Sequence, residues 1–185
     1  YENGVQFVPC TGRNVTGLPP ELLSHPSVRY AVCCNGALIC DVGTHEVLRE
    51  VEIEKPLIAG LYGDVRELPI TFDLFADGKV FTLADRWPIL DRLGLGERHI
   101  GQLKAARTLF EGEMPELLDY VGSICRVNVF FTKQPDARQV WSAVDARREL
   151  IRTTSLPCNI EITHSTAHKG RGFSGSATTR VSGSM

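Results

Sequence analysis

The sequence predicts an α/β protein in which an α+β segment is inserted between two pieces of a different α/β core. Pairs of short apolar runs meet at two tight-turn dipeptides, Asn35-Gly36 and Asp77-Gly78, and therefore predict antiparallel hairpins. A longer run, 136–151, repeats apolar residues at helical spacing. The chain has 185 residues, 43% of them hydrophobic and 23% charged, which is typical of a globular protein and excludes disorder or a fibrous repeat as its main state.

The first 55 residues form the opening part of the core in this interpretation. Pro9 has no backbone N–H, so the first apolar strand is expected to end near it. Prolines are favoured in the first turn of a helix, and Pro19 and Pro20 therefore mark the start of a short one. The predicted elements are a strand at 5–10, a polar loop at 11–14, the short helix, and a meander of strands at 30–33, 37–41 and 45–51.

The pattern changes after Pro56, where an inserted α+β segment, 56–155, is expected. One of its strands alternates, with Cys125, Val127, Val129 and Phe131 on one face. The predicted elements of this segment are a hairpin (70–75 and 79–83), a weak helix (85–100), a brief helix (115–120), a strand (123–132) and the helix at 136–151. Residues 156–185, with a strand at 159–163, are expected to return to the core.

Charge and cysteine content limit the possible partners. The net charge is −2, whereas a broad nucleic-acid surface needs a dense cationic face, so no nucleic-acid partner is predicted. No apolar run approaches the ~20 residues needed to span a bilayer, so no membrane partner is predicted either. The six cysteines include no Cys-x-x-Cys pair and are interpreted as reduced, mostly buried thiols of a cytoplasmic protein.

Two segments carry residue types that suit a phosphate group. Thr11, Gly12 and Arg13 follow the first strand and combine a hydroxyl, flexible backbone amides and a guanidinium. Lys169 follows the strand at 159–163 and carries a compact positive charge. Taken singly, each segment is also compatible with an ordinary polar turn or a solvated lysine. His164 and His168 have the spacing of two metal ligands, but their loop offers no evident third ligand.

The order of these segments resembles that of a known enzyme family. An apolar strand ends in Thr11-Gly12-Arg13, a hairpin carries Asn35-Gly36, a cap-sized insert follows, and a final strand precedes Lys169-Gly170. The arrangement is similar to the Cof-type branch, subfamily IIB, of the haloacid dehalogenase superfamily of phosphatases, over about residues 1–172. The resemblance implies a Rossmann-like core with an inserted, mobile α+β cap of the C2 type.

The resemblance also implies a reaction and roles for individual residues. The reaction is Mg²⁺-dependent hydrolysis of a small phosphorylated metabolite, a sugar phosphate or a phosphorylated cofactor, through an aspartyl-phosphate. Thr11 matches the motif that holds the phosphoryl group, and Lys169 matches the motif that neutralises its charge. Gly12, Arg13, Asn35 and Gly36 match neighbouring positions that shape the phosphate site. Phosphoryl transfer depends on positioning and charge neutralisation, which these residue types supply.

The chain departs from the family pattern at both ends. The family's Asp-x-Asp motif, which carries the nucleophile, is expected before Thr11, and an acidic motif that helps to hold Mg²⁺ is expected after Lys169. We therefore expect the chain to be an inactive fragment whose metal ligands lie outside it. Residues 1–50 are expected to be less well ordered than the cap. Asp41 and Asp64 do not occupy motif positions. The alternative is a non-catalytic module that binds a ligand or another protein, and the Ser/Gly/Thr-rich stretch 171–185 is interpreted as an altered end or reading frame.

Overall fold

The computed structural model describes residues 6–44 and 46–168. The chain divides into two compact units, each with its own sheet. The first unit contains the residues up to Val51 and those from Ser165 onward, and the second contains Glu52–His164. Among residues 6–44 and 46–168, each helix is too short or too polar to form a membrane span.

The first unit contains a short helix and an antiparallel three-stranded sheet. Helix α1 begins at Pro20, so this proline lies in the first turn of the helix, as the sequence predicts. The strands follow one another in the sheet in chain order, which confirms the predicted meander. The elements are α1 (Pro20–Leu23), β1 (Tyr30–Cys33), β2 (Leu38–Asp41) and β3 (Val47–Glu50).

The predicted strand at 5–10 takes a different form. Residues 6–9 belong to no strand, and Cys10 makes only an isolated parallel bridge with Val32 of β1. Pro9 cannot donate to a strand partner, but its carbonyl oxygen accepts a hydrogen bond from the Val32 N–H at 2.8 Å. The segment therefore runs beside β1 as an extended chain with a single bridge.

The second unit is a six-stranded sheet with helices. The sheet order is β6-β5-β4-β7-β9-β8; β5 and β6 are parallel, and the other neighbours are antiparallel. A 3-10 segment, Ala84–Arg92, follows β5. The elements are α2 (Lys55–Val65), β4 (Asp73–Ala76), β5 (Lys79–Leu83), α3 (Glu97–Ala105), β6 (Thr108–Phe110), α4 (Met114–Tyr120), β7 (Ile124–Phe130), α5 (Gln134–Asp145), β8 (Leu150–Thr153) and β9 (Asn159–His164).

One apolar core joins this sheet to helices α2, α4 and α5. Strand β7 alternates as predicted, with Val127 and Val129 in this core and Phe131 continuing the pattern beyond the strand. Cys125 does not belong to this cluster, because the β4–β7 register shifts at the neighbouring pair and interrupts the alternation. Removing this much apolar surface from water is what stabilises the unit.

Two predicted elements near the end of the unit are corrected by the structure. The helix expected at 136–151 ends at Asp145, and Leu150–Thr153 forms the edge strand β8 instead. The strand expected to return to the core, 159–163, is β9, which pairs with β7 and β8 inside the second unit's sheet. The unit is consequently longer at both ends than the expected 56–155 segment, because backbone pairing decides which strands share a sheet.

Candidate functional site

The loop at Thr11 is attached to strand β1 by backbone hydrogen bonds. The Thr11 N–H donates to the carbonyl oxygen of Val32 at 2.9 Å, directly after the Cys10–Val32 bridge. Thr11 thus lies where the extended chain leaves the sheet. Loops that begin at a strand end are a common place for binding residues, because the sheet fixes their start.

The loop is also joined to the turn of the β1–β2 hairpin. The Asn35 N–H donates to the Thr11 carbonyl at 3.1 Å, and the Cys34 N–H donates to the Arg13 carbonyl at 3.0 Å. These two bonds bring Thr11, Arg13 and Asn35 together, although Arg13 and Asn35 are well separated in sequence. The structure therefore assembles one cluster from the two predicted segments of the first unit, Thr11–Arg13 and Asn35–Gly36.

The hairpin turn has an unusual backbone. Cys34, Asn35 and Gly36 all have positive φ, at 49°, 60° and 101°. Glycine and asparagine tolerate this left-handed region, whereas a cysteine pays for it, and such strain is concentrated at functional sites. Asn35 is half-buried and Gly36 is buried, so other parts of the protein pack around the turn.

The Thr11 side chain is positioned by its own loop. Its Oγ1 accepts a hydrogen bond from the Arg13 N–H at 3.0 Å, and the residue is half-buried. A hydroxyl that accepts one bond still has its own proton to donate. Thr11 can therefore donate to an anionic oxygen while its orientation is held by the loop.

Arg13 is directed partly away from this hydroxyl. Its side chain is exposed, and Nη1 donates to the Gly17 carbonyl at 3.3 Å. The aliphatic stem lies over Gly17, where an added Cβ would be 3.4 Å from the Arg13 Cβ. A guanidinium has five N–H donors, so the bond to Gly17 leaves others for a ligand.

The remaining predicted residues stand as follows. Gly12 is half-buried within the loop. Lys169 lies outside the described residues, so its predicted role is carried forward as a proposal. His164 ends β9 in the second unit, and His168 follows in the first.

The described residues do not fit a Mg²⁺ site. In 6–44 and 46–168 no three His, Cys, Asp or Glu side chains lie together in a way that could hold a metal ion. Mg²⁺ prefers carboxylate oxygens, whereas the cluster at Thr11 offers a hydroxyl, a guanidinium and an amide. The only aspartate of the first unit, Asp41, is used elsewhere.

Asp41 stabilises the turn after β2. Its Oδ1 accepts from the Gly43 and Thr44 N–H groups at 2.9 and 3.1 Å, and Oδ2 pairs with the Arg29 Nε at 3.4 Å. Burial raises the pKa of this carboxyl, but the backbone N–H donors and the guanidinium outweigh burial and hold the pKa below its usual value. Asp41 is therefore a turn residue.

Two buried cysteines of the first unit, Cys33 and Cys40, are poor nucleophiles. All six cysteines of the protein are free; five of them are buried and Cys10 is exposed. Burial and the neighbouring thiols Cys34, Cys40 and Cys10 raise the pKa of Cys33 to about 12. Burial, Cys34 and Glu50 raise the pKa of Cys40 to about 11. The Cys33 and Cys40 thiols consequently stay protonated at neutral pH.

Sequence reasoning missed a row of polar side chains on the six-stranded sheet, on the face opposite the apolar core with α2, α4 and α5. Thr82, Asp73, Asn128 and Glu161 lie on adjacent strands in matching register, and all are buried. Two arginines neutralise the acids: Arg107 pairs with Asp73 at 2.9 Å and Arg126 with Glu161 at 3.5 Å. The available signal was one charged residue, Asp73, within the mainly apolar run 70–75.

The second unit also contains an open cleft of about 770 Å³. It lies between α2, α4 and the start of the 3-10 segment, and sequence patterns did not indicate it. Ala59, Leu83 and Leu118 contribute apolar surface, while Arg66 and Glu113 are charged. The volume is in the range of small-molecule sites.

Comparison with known proteins identifies the family. A model of haloacid dehalogenase-like hydrolases matches residues 1–179. The chain therefore belongs to the haloacid dehalogenase-like hydrolase family. A search of curated proteins finds no significant match.

Solved structures agree with the fold. A haloacid dehalogenase-like hydrolase from B. subtilis aligns with a TM-score of 0.74 and 18% identity, over 96% of this chain and 68% of that one. A phosphatase of the superfamily from Bacteroides thetaiotaomicron aligns at 0.69 and 17%, over 97% and 61%. A subclass IIB sugar phosphatase aligns at 0.72 and 10%, over 96% and 64%. The chain thus spans 61% to 68% of the length of these structures, and the resemblance confirms the predicted fold class, a haloacid dehalogenase-like fold with a cap.

Proposed function

We propose that the intact protein hydrolyses a small phosphorylated metabolite, a sugar phosphate or a phosphorylated cofactor, through an aspartyl-phosphate. The observation that carries the proposal is the hydrogen-bonded junction between the Thr11 loop and the Asn35 turn. It places a hydroxyl, loop amides and a strained turn together at a strand end, which suits a phosphoryl group. Membership of the hydrolase family supports the same reaction class.

In this proposal Thr11 donates its hydroxyl proton to an oxygen of the transferring phosphoryl group. The Arg13 guanidinium offers further N–H donors beside it, and the Asn35 N–H holds the loop through its bond to the Thr11 carbonyl. Gly12 and Gly36 are proposed to shape the phosphate site around these groups. Lys169 neutralises phosphoryl charge. Mg²⁺, which the superfamily generally uses, would add further neutralisation, with ligands from outside the described residues.

The 185-residue chain by itself is proposed to be inactive. Its sequence contains no Asp-x-Asp, and covalent catalysis needs its nucleophile.

Free thiols and the near-neutral net charge of −2 support a cytoplasmic protein whose partner is a small metabolite rather than nucleic acid or a membrane.

The test is phosphate release from a panel of sugar phosphates and an aryl phosphate with Mg²⁺. It compares this chain with the protein translated from the gene including its flanking sequence. In the longer protein, Thr11→Val is expected to lower kcat by about 100-fold, the loss typical of one positioned donor. Lys169→Ala is expected to do the same.

Thr44→Val is the matched control, because the Thr44 Oγ1 also accepts a hydrogen bond from the N–H two residues later, at 3.3 Å. Thr44 is exposed and lies outside the junction, so this variant is expected to keep normal turnover. Full activity of Thr11→Val would overturn the assigned role. Turnover by the 185-residue chain that disappears in Lys169→Ala would overturn the proposed inactivity.

A second function, ligand binding without catalysis, is favoured by the cleft of about 770 Å³ in Glu52–His164. Ala59→Trp would fill the cleft, whereas Ala146→Trp would add the same bulk at the exposed end of α5. Calorimetric binding of a neutral or phosphorylated sugar without turnover, lost only in Ala59→Trp, would support this function. Equal binding by both variants would contradict it.

A further inference from the structure

Helix α3 is attached to the second unit less firmly than the other helices of that unit. None of its residues, Glu97–Ala105, is buried, whereas α2, α4 and α5 each contribute at least three buried residues. Ile100 and Leu103 are only partly buried against the apolar cluster around Phe130. Apolar burial therefore contributes little to holding this helix in place.

An arginine just after the helix supplies its most deeply buried polar attachment. The Arg107 side chain is 4% exposed, and its Nε and Nη2 both donate to Oδ2 of Asp73, at 3.1 and 2.9 Å. Its Nη1 donates to the Leu103 carbonyl of α3 at 2.6 Å. The guanidinium also lies 5.1 Å from the centre of the Phe130 ring. Arg107 thus connects the end of α3 to the middle of the sheet.

The chain before the helix has the features of a hinge. Gly94 has a φ of 69°, and Gly96 occupies the N-cap position without any side-chain cap. The preceding 3-10 segment is anchored by the buried Ile89 and Leu90. A change in backbone angles at the two glycines can therefore move α3 while the segment before it stays packed.

The buried pair of Asp73 and Arg107 beneath α3 is expected to be either fully formed or fully broken. Asp73 is fully buried, and its second oxygen, Oδ1, accepts from the Thr82 hydroxyl at 2.8 Å. Both charges are satisfied when Arg107 is in place, and both lose their partner when it leaves. A buried pair of this kind favours either a closed state or an open, hydrated one over intermediate positions.

We propose that 94–107 is a hinged flap, latched by Arg107 on Asp73, whose opening exposes the polar row Thr82, Asp73 and Asn128 on the sheet. Opening is a local event that leaves the core of Glu52–His164 folded. The flap controls access of water and small polar molecules to this face of the sheet.

Hydrogen exchange with mass spectrometry on the full chain tests the flap. In the unmodified protein, amides at 97–106 are expected to exchange faster than those of α5. Two variants weaken the latch without leaving Asp73 as an unpaired charge: Arg107→Lys keeps the positive charge but not the paired donors, and Asp73→Asn with Arg107→Leu removes both charges. Each is expected to speed exchange at 97–106 by about tenfold or more, because charged hydrogen bonds are lost.

Lys104→Leu is the control on the same helix, since it removes the ion pair with the exposed Asp91 carboxylate, at 2.7 Å, and should change exchange far less than the latch variants do. Selective acceleration at 97–106 with unchanged β7 protection supports the flap. Equal acceleration in β7 would show general unfolding and overturn it. Unchanged exchange at 97–106 in both latch variants would overturn it as well.

Discussion

At the scale of single residues, backbone conformation explains where glycine is required. Asp77 and Gly78 form the β4–β5 turn with φ values of 52° and 73°, as expected for an Asp-Gly hairpin. Gly63 lies within α2 and has an ordinary helical backbone. A Cβ added to Gly78 or Gly63 would meet no atom within 4 Å. The two positions therefore differ in backbone angle rather than in available space.

This contrast predicts opposite effects of one substitution. Gly78→Ala is expected to destabilise the protein by about 1–2 kcal/mol, because an L-residue is strained in the left-handed region. Gly63→Ala is expected to stabilise it by roughly 0.5–1 kcal/mol through helix propensity and reduced entropy of the unfolded chain. Urea unfolding measures both. Two substitutions with the same sign would contradict the argument.

A second prediction concerns Asp41 and pH. Because the folded-state pKa is lowered, the stabilisation from Asp41 is complete above the unfolded-state pKa and is lost as the pH falls through the folded-state value. The difference in urea midpoint between the native chain and Asp41→Asn should therefore shrink as the pH falls from about 6 to about 3.

Arg29→Gln gives the internal comparison for this experiment. It removes one contributor to the lowered pKa and leaves the Gly43 and Thr44 N–H donors in place. Part of the pH dependence should therefore persist. A midpoint difference for Asp41→Asn that does not change with pH would refute the assignment.

At the scale of elements, helix α2 is held at its end by an arginine from a distant part of the chain. Arg86 donates through Nη1 to the Leu68 carbonyl at 2.8 Å and through Nη2 to the Arg66 carbonyl at 2.7 Å. These carbonyls follow the last helical residues, where the backbone has no intrahelical donors. The two bonds join the end of α2 to the 3-10 segment after β5.

Arg86→Ala is expected to lower the unfolding free energy by about 1–3 kcal/mol, since two carbonyls lose a charged donor. Arg66→Ala serves as the control: the Arg66 side chain is 62% exposed, and its ion-pair partner is the neighbouring Glu67, at 3.3 Å. That variant should stay within about 0.5 kcal/mol of the native chain. Equal losses in the two variants would show that the carbonyl contacts contribute nothing.

At the scale of the whole molecule, the two units should differ in stability. The sheet of the first unit has three strands of four residues, whereas the second unit has six strands and a continuous apolar core with three helices. A larger sheet packed on one continuous core gives a higher free energy of local opening.

Amides of β7, Ile124–Phe130, are therefore expected to exchange with solvent more slowly than amides of β1 and β2. Native-state hydrogen exchange at neutral pH is the measurement. Stronger protection at 30–41 than at 124–130 would contradict this ranking of the units.

Local patterns were enough to locate much of the fold and part of the site. The dipeptides Asn35-Gly36 and Asp77-Gly78 predicted both hairpins, because turn geometry depends on the turn residues themselves. The Thr11 segment and the Asn35 turn were both indicated as phosphate-site candidates, and the structure joins them. Each of these signals extends over only a few neighbouring residues.

Long-range contacts decided the rest. Strand pairing decides whether 150–153 continues a helix or forms β8. It also decides whether β9 belongs to the core or to the cap sheet, since β9 pairs with β7 and β8. The Asp73–Arg107 pair spans two elements that carry no joint signal along the chain. Backbone pairing and buried charge are satisfied by residues far apart in sequence, so only the folded chain reveals them.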